Sequence, residues 1–195
     1  LVDRVTDRFE LADLMGQMVS ELGALHSQVG AGDTRPAPDE PGLAGLGGRF
    51  SRGPEGWRIE AIYAHEAELP SEAPPLAAPG LGLKVGDIIT TVNGRPTADA
   101  PHLLELLRGQ AGRQVLLEVK QASGKTVQRI VTPVAQAREN QLRYNDWRVS
   151  RARAVEQAGQ GRIGYVHLRA MGPADIADFV REFYAASDRD GLIID

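Results

Sequence analysis

The stretch GLKVGDIITTVNGRP (Gly82–Pro96) decides how the middle of this chain folds. Val85, Ile88, Ile89 and Val92 are the apolar positions of a short strand, and Gly86-Asp87 supplies the turn that leads into it. Asn93-Gly94 is a tight-turn pair, because both residue types accept the left-handed backbone such a turn demands. Downstream, ADAPHLLELLRG reads as a short helix with Asp99 near its N-cap, Pro101 in its first turn and Gly109 past its end. RQVLLEVKQ and TVQRIVTPV, joined by SGK, read as a hairpin. Upstream, GGRFSR and GWRIEAIYA alternate around GPEG as a second hairpin, and ELPSEAPPLAAPG is a proline-rich excursion between the two. Together these elements make one compact module over residues 45–136.

Outside the module the pattern changes. In residues 6–25 the positions Leu11, Leu14, Met15, Met18, Val19 and Leu22 fall on one helical face, so residues 1–35 read as a helical segment. Residues 36–44 lie in a proline- and glycine-containing stretch that reads as a linker. Residues 137–159 are polar and Arg-rich, with Leu142, Val149 and Val155 as sparse apolar points, and read as a connecting helix or solvated arm. GRIGYVHLRAM is a strand carrying Ile163, Tyr165, Val166 and Leu168. GPADIADFVREFYAAS is an amphipathic helix with Ile176, Phe179, Val180 and Phe183 on one face, and GLIID is the next strand. Strand, helix, strand in that order implies a βαβ unit with a right-handed parallel crossover. The fold class is therefore α+β: an N-terminal helical segment, a β-barrel or sandwich module, then the start of an α/β domain. The run that stops at Asp195 reads as a buried strand in need of neighbours, so the chain is expected to be an excerpt of a larger protein.

Composition narrows the chemistry. A net charge of −4 provides no basic field, so nucleic acid is not an expected partner. No run approaches the ~20 apolar residues of a bilayer span. There are no cysteines, which removes disulfides and thiolate metal sites. No HExxH motif or paired-carboxylate constellation occurs, and no cofactor or metal is expected.

On the residues Gly82–Pro96 and the short helix after Asp99, the central module resembles a PDZ domain of the bacterial protease type. The flanks, RVTDRFELADLMGQMVSELGALHSQVGAGD before it and GRIGYVHLRAMGPADIADFVREFYAASDRDGLIID after it, resemble the tricorn protease family. They are similar, more distantly, to carboxy-terminal processing peptidases. The resemblance implies a serine endopeptidase acting on peptide substrates, cytoplasmic and homo-oligomeric, with β-propeller domains upstream. It implies that the PDZ domain docks or supports the substrate. It also implies that the nucleophilic serine, the oxyanion-hole glycine and a supporting glutamate follow the GLIID strand, outside these residues.

His26 is the candidate catalytic residue. An imidazole in water titrates near ~6.5 and so can move protons at neutral pH. On residue chemistry alone, a cation capping a helix C-terminus is the simpler reading. The resemblance turns it into the general base that follows the first helix. The family pattern often places Ser directly before that histidine; this chain has Leu25 there and Ser27 after it. Ser27 as nucleophile is disfavoured, since neighbours in sequence rarely reach each other in the needed geometry. In AGLGGRF (Ala44–Phe50), Leu46, Gly47 and Gly48 are candidates to present backbone N–H groups to a peptide carboxylate, or else form a flexible linker end. His102 either contacts a peptide from the groove-lining helix or is a solvated first-turn residue. Arg143, Arg148, Arg151 and Arg153 interleave with acids and read as a solvated helix face. His65 reads as a surface residue and His167 as part of a strand. The rival class is a non-catalytic PDZ adaptor.

Overall fold

The computed structural model describes residues 1–30 and 41–195; most of the expected linker (residues 36–40) lies outside the described residues. The chain divides into two compact units, residues 1–40 and 41–195.

In the first unit, a 3-10 turn (Val2–Arg4) precedes α1 (Arg8–Ser20). The Asp7 carboxylate accepts the N–H of Glu10, and the Glu10 carboxylate accepts the N–H and hydroxyl of Thr6. These reciprocal bonds satisfy N–H groups that the first turn leaves without partners. The helix ends well short of the expected residue 25. Leu22 and Gly23 close tight bonds to Val19 and Ser20, and Gly23 takes φ +59, which carries the chain out of the helix.

The second unit begins with β1 (Ala44–Gly45), followed by β2 (Gly48–Gly53) and β3 (Gly56–Ile62). After the proline-rich excursion come β4 (Ile88–Val92), β5 (Arg95–Pro96), α2 (Leu103–Leu106), β6 (Val115–Lys120), β7 (Thr126–Val131) and β8 (Val134–Ala135). An antiparallel sheet runs in the order β2-β3-β4-β6-β7, with β5 turned back onto β4. In β6 the buried positions alternate, with Val115, Leu117 and Val119 inward and Leu116 outward. They pack with Leu46, Ile59, Leu76, Ile89, Leu103 and Leu107 into one core. β1 pairs with β8, Ala44 opposite Ala135, so the entrance and exit of the module lie side by side.

Three expectations shift at the ends of these elements. Val85 is not in β4; it is 58% exposed in the preceding turn. Gly86, at φ +93, and Asp87 delay the strand until Ile88. α2 starts later than expected: Asp99 and Pro101 precede it, and His102 is its N-cap. Proline restricts the residue before it away from helical backbone, so the helix begins beyond Pro101. Leu168 lies past its strand, which ends at Val166, although its N–H still reaches the Asp195 carbonyl. The Asn93-Gly94 turn forms as expected, with φ of +49 and +78. Asn93 also exchanges bonds with Leu116 through its backbone N–H and side-chain oxygen, which ties the turn to β6.

α3 (Gln136–Ala158) follows β8 without a break, as a full helix rather than a solvated arm. Its buried positions are Leu142, Asn145 and Val149. Then β9 (Ile163–Val166), α4 (Pro173–Ala186) and β10 (Gly191–Ile194) form the expected βαβ unit, and β9 and β10 pair in parallel.

Asp87 holds the turn that starts β4. It is only 3% exposed, and its two carboxylate oxygens accept the N–H groups of Lys84 and Ala122 at 2.9 and 3.1 Å. One side chain therefore joins the turn to the β6–β7 hairpin. Asp87→Ala leaves two amides without acceptors and is expected to cost about 1–3 kcal/mol. Urea unfolding followed by circular dichroism measures that loss; a change within ±0.5 kcal/mol shows that the carboxylate does not hold the turn.

Candidate functional site

His26 lies in the first unit, six residues past the last helical residue, and is exposed. Its backbone sits at φ +64, left-handed space that a side-chain-bearing residue enters only rarely. The helix C-cap is Glu21, so His26 does not cap α1. Ser27 follows in exposed irregular chain.

The Leu46-Gly47-Gly48 segment joins β1 to the first residue of β2 and is packed rather than loose. Leu46 is buried in the core. The Gly47 carbonyl accepts the N–H of Tyr63, and the Leu46 carbonyl accepts that of Leu76. Gly47 is at φ +76, and a Cβ there would stand 2.2 Å from the Pro74 Cβ. A flexible linker end is therefore ruled out. The Gly47 N–H donates to the Glu139 carboxylate of α3 at 2.9 Å. A Cβ on Gly45 would stand 2.3 Å from that same carboxyl group, so only glycine leaves room for it.

Burial raises the Glu139 pKa from its ordinary value, while the backbone amides of Gly47 and Gly48 and the charge of Arg143 pull it back. Tyr63, in the same neighbourhood, is raised by burial and then by the Glu139 charge.

His102 uses Nδ1 to accept the N–H of Leu104 at 3.1 Å, as the cap of α2. Its ring centroid lies 5.3 Å from that of Trp57. It is exposed, and Nδ1 is committed to the helix. His65 is half-buried just beyond β3.

Sequence reasoning passed over the side of α3 that faces the rest of the unit. Arg148 is not on a solvated face, unlike the exposed Arg143, Arg151 and Arg153. Its side chain is 13% exposed and pairs with Glu66 at 2.6 Å, with Glu182 of α4, and with Glu72 at 3.9 Å. Burial alone would lower its pKa; Glu182 and Glu66 outweigh burial and hold it above the ordinary guanidinium value. Nearby, the Asp146 carboxylate accepts the N–H of Ala64, and Asn145 donates to Glu72. The spacing 139, 142, 146, 149 is helical, so the signal for this face was present; the polar residues on it concealed it.

The C-terminal ends of β9 and β10 gather a second cluster. His167 Nε2 contacts the Tyr144 hydroxyl, and its Nδ1 lies 3.5 Å from the Asp195 carboxylate. Tyr165 donates to Asp195 at 2.6 Å, and burial together with that bond raises its pKa. A cavity of about 200 Å³ opens there, lined by Tyr144, Arg148, His167, Arg169, Asp175 and Glu182. His167 thus lies past the strand end and is no strand residue. Among the described residues, no group of His, Asp and Glu is arranged to hold a metal ion, and no helix is long and apolar enough to cross a membrane.

Comparison with known proteins agrees with this architecture. The family model described as the tricorn protease PDZ domain matches residues 43–136. Tricorn protease homolog 1 of Streptomyces coelicolor is 34% identical over 197 residues, covering 100% of this chain and 18% of that protein. The tricorn protease homolog of Saccharolobus solfataricus is 32% identical, again over 100% of this chain and 18% of its own length. The chain thus spans about a fifth of the length of the curated relatives it matches. The crystal structure of the tricorn protease shares the fold, with a TM-score of 0.83 over 97% of this chain and 18% of that one, at 22% identity.

Two outcomes follow from α3. Arg148→Met leaves three carboxylates around an apolar side chain and is expected to cost roughly 3 kcal/mol in chemical unfolding. Arg148→Lys recovers only part of that, because an ammonium cannot fork between Glu66 and Glu182. For Glu139 the native pKa is raised, so the native state holds the proton more tightly than the unfolded chain. Its contribution is full below the unfolded carboxyl value of about 4.3 and is lost as pH rises through the native value. The stability of Glu139→Gln relative to the parent is expected to increase from pH 4 to pH 7; a flat difference across that range contradicts the assignment.

Proposed function

This chain belongs to the tricorn protease family, with the family's PDZ domain at residues 43–136, and from that membership we propose that it serves a serine peptidase in which His26 is the general base. The observation that carries this reading is the extent of the similarity. It runs over 100% of the chain, so the His26 segment and the βαβ unit share it along with the PDZ domain. The exposed, left-handed position of His26 supports the same reading, since a base must reach a substrate and positive-φ residues with side chains recur at functional sites.

The chemistry is acyl transfer. A serine hydroxyl outside these residues attacks the peptide carbonyl. His26 accepts the hydroxyl proton and returns it to the leaving amine. Backbone N–H groups hold the developing oxyanion. The PDZ domain docks or supports the peptide through Leu46, Gly47 and Gly48 beside β2, which among the described residues pairs on one side only, with β3. The exposed ring of His102 adds a contact from α2. The intact protein works on peptides in the cytoplasm as a homo-oligomer.

In the intact protein, His26→Ala is expected to lower peptide turnover by on the order of 10⁴-fold or more and to abolish labelling by a fluorophosphonate probe. Ser27→Ala should keep both. The purified 195-residue chain alone should not hydrolyse a fluorogenic peptide. Full labelling of His26→Ala, or turnover by the chain alone, defeats this reading; absence of labelling in the unaltered intact protein favours the adaptor.

A further inference from the structure

The carboxylate-accepting corner of the PDZ domain already has an occupant. Glu139 reaches across 92 residues of sequence from the first turn of α3 and accepts the Gly47 N–H at 2.9 Å. Gly45 lacks a side chain where one would collide with that carboxyl group, at 2.3 Å. β1 and β8 pair at Ala44 and Ala135, which places the start of α3 directly over the corner. A surface glutamate would be expected to point into water. This one gives up solvation to fill a backbone anion site, which is the environment that a peptide terminus seeks.

We propose that Glu139 is an intramolecular ligand of the Gly47 corner, so that α3 keeps the PDZ domain closed to peptide carboxylates until its first turn lifts away. The inference rests on the reading of Leu46, Gly47 and Gly48 as a peptide-docking corner. The occupant is held without being locked: burial disfavours the charged form, and the amides of Gly47 and Gly48 only partly offset that cost. Arg143 on α3 is the charge that acts on it, and the phenol of Tyr63 beyond β3 feels Glu139 together with Arg143, Asp146 and Arg49. The same helix carries Arg148, which joins Glu66 to Glu182 of α4. Movement of the βαβ unit would therefore reach the corner through α3, and a seated peptide would push back along the same path.

The test uses the whole chain with ¹⁵N labelling, in the parent, Glu139→Ala and Glu139→Gln forms. The Gly47 amide resonance of the parent should follow a single ionisation that disappears in Glu139→Gln. In Glu139→Ala, sodium acetate should shift the Gly47 amide saturably and raise Tm more than equal sodium chloride, and the parent should not respond. A fluorescein-labelled apolar hexapeptide with a free carboxylate should bind Glu139→Ala at least tenfold more tightly than the parent, and its C-terminal amide should show no gain. A Gly47 resonance in the parent that ignores Glu139, or equal binding of the acid peptide to parent and Glu139→Ala, overturns the proposal. Acetate binding to Glu139→Ala with no peptide bound by either form upholds the internal ligand and instead removes the peptide-docking reading. If Glu139→Ala does not fold, the titration of the parent against Glu139→Gln decides alone.

Discussion

A single guanidinium links separate parts of the second unit. Arg148 sits within α3 with its side chain largely out of solvent, and it faces Glu66 from the chain just past β3 and Glu182 from α4. Neither the PDZ domain nor the βαβ unit makes that bridge without the other. Three carboxylates at this distance repel one another, and only the cation between them makes the arrangement tolerable. Arginine suits the place because its planar fork can address two partners in different directions at once. Around Arg148, Asp146 accepts the Ala64 amide and Asn145 reaches Glu72, so the contact surface of α3 sets specific polar bonds beside the buried Leu142 and Val149.

That surface changes the meaning of the glycines before β2. A glycine-rich stretch in front of a strand reads locally as a hinge or an open anion loop. Here the Glu139 carboxyl group occupies the space beside Gly45, and Pro74 leaves no room for a side chain on Gly47. The segment is therefore rigid and filled. A PDZ domain with its corner filled from α3 is tied through that helix to the βαβ unit, which α3 meets through Arg148 and Glu182.

The elements themselves were legible because their causes are local. Asn93-Gly94 turns where its residue types predict, and Val115, Leu117 and Val119 alternate inward as a half-buried strand must. The βαβ unit followed from the switch between apolar runs and a helical stripe through Ile176, Phe179 and Phe183. Element ends were less legible. α1 stopped at Ser20 because Gly23 took a left-handed conformation that the apolar stripe, which continued to Leu22, did not reveal. Val85 fell out of its strand because the Asp87 carboxylate bonds Ala122, a residue far along the chain.

Sequence alone determined the order of elements, the class of fold and the absence of cysteine chemistry, since composition, periodicity and turn chemistry act within a few residues of one another. Tertiary structure decided what fills the Gly47 corner, which arginine of four is buried, and that His167 meets Tyr144 and Asp195 at a strand end. The physical reason is distance along the chain. Glu139 and Gly47 stand 92 residues apart, and Arg148 and Glu66 stand 82 apart. No local pattern encodes an electrostatic partner at such separations; only the folded chain brings the charges near enough to choose each other.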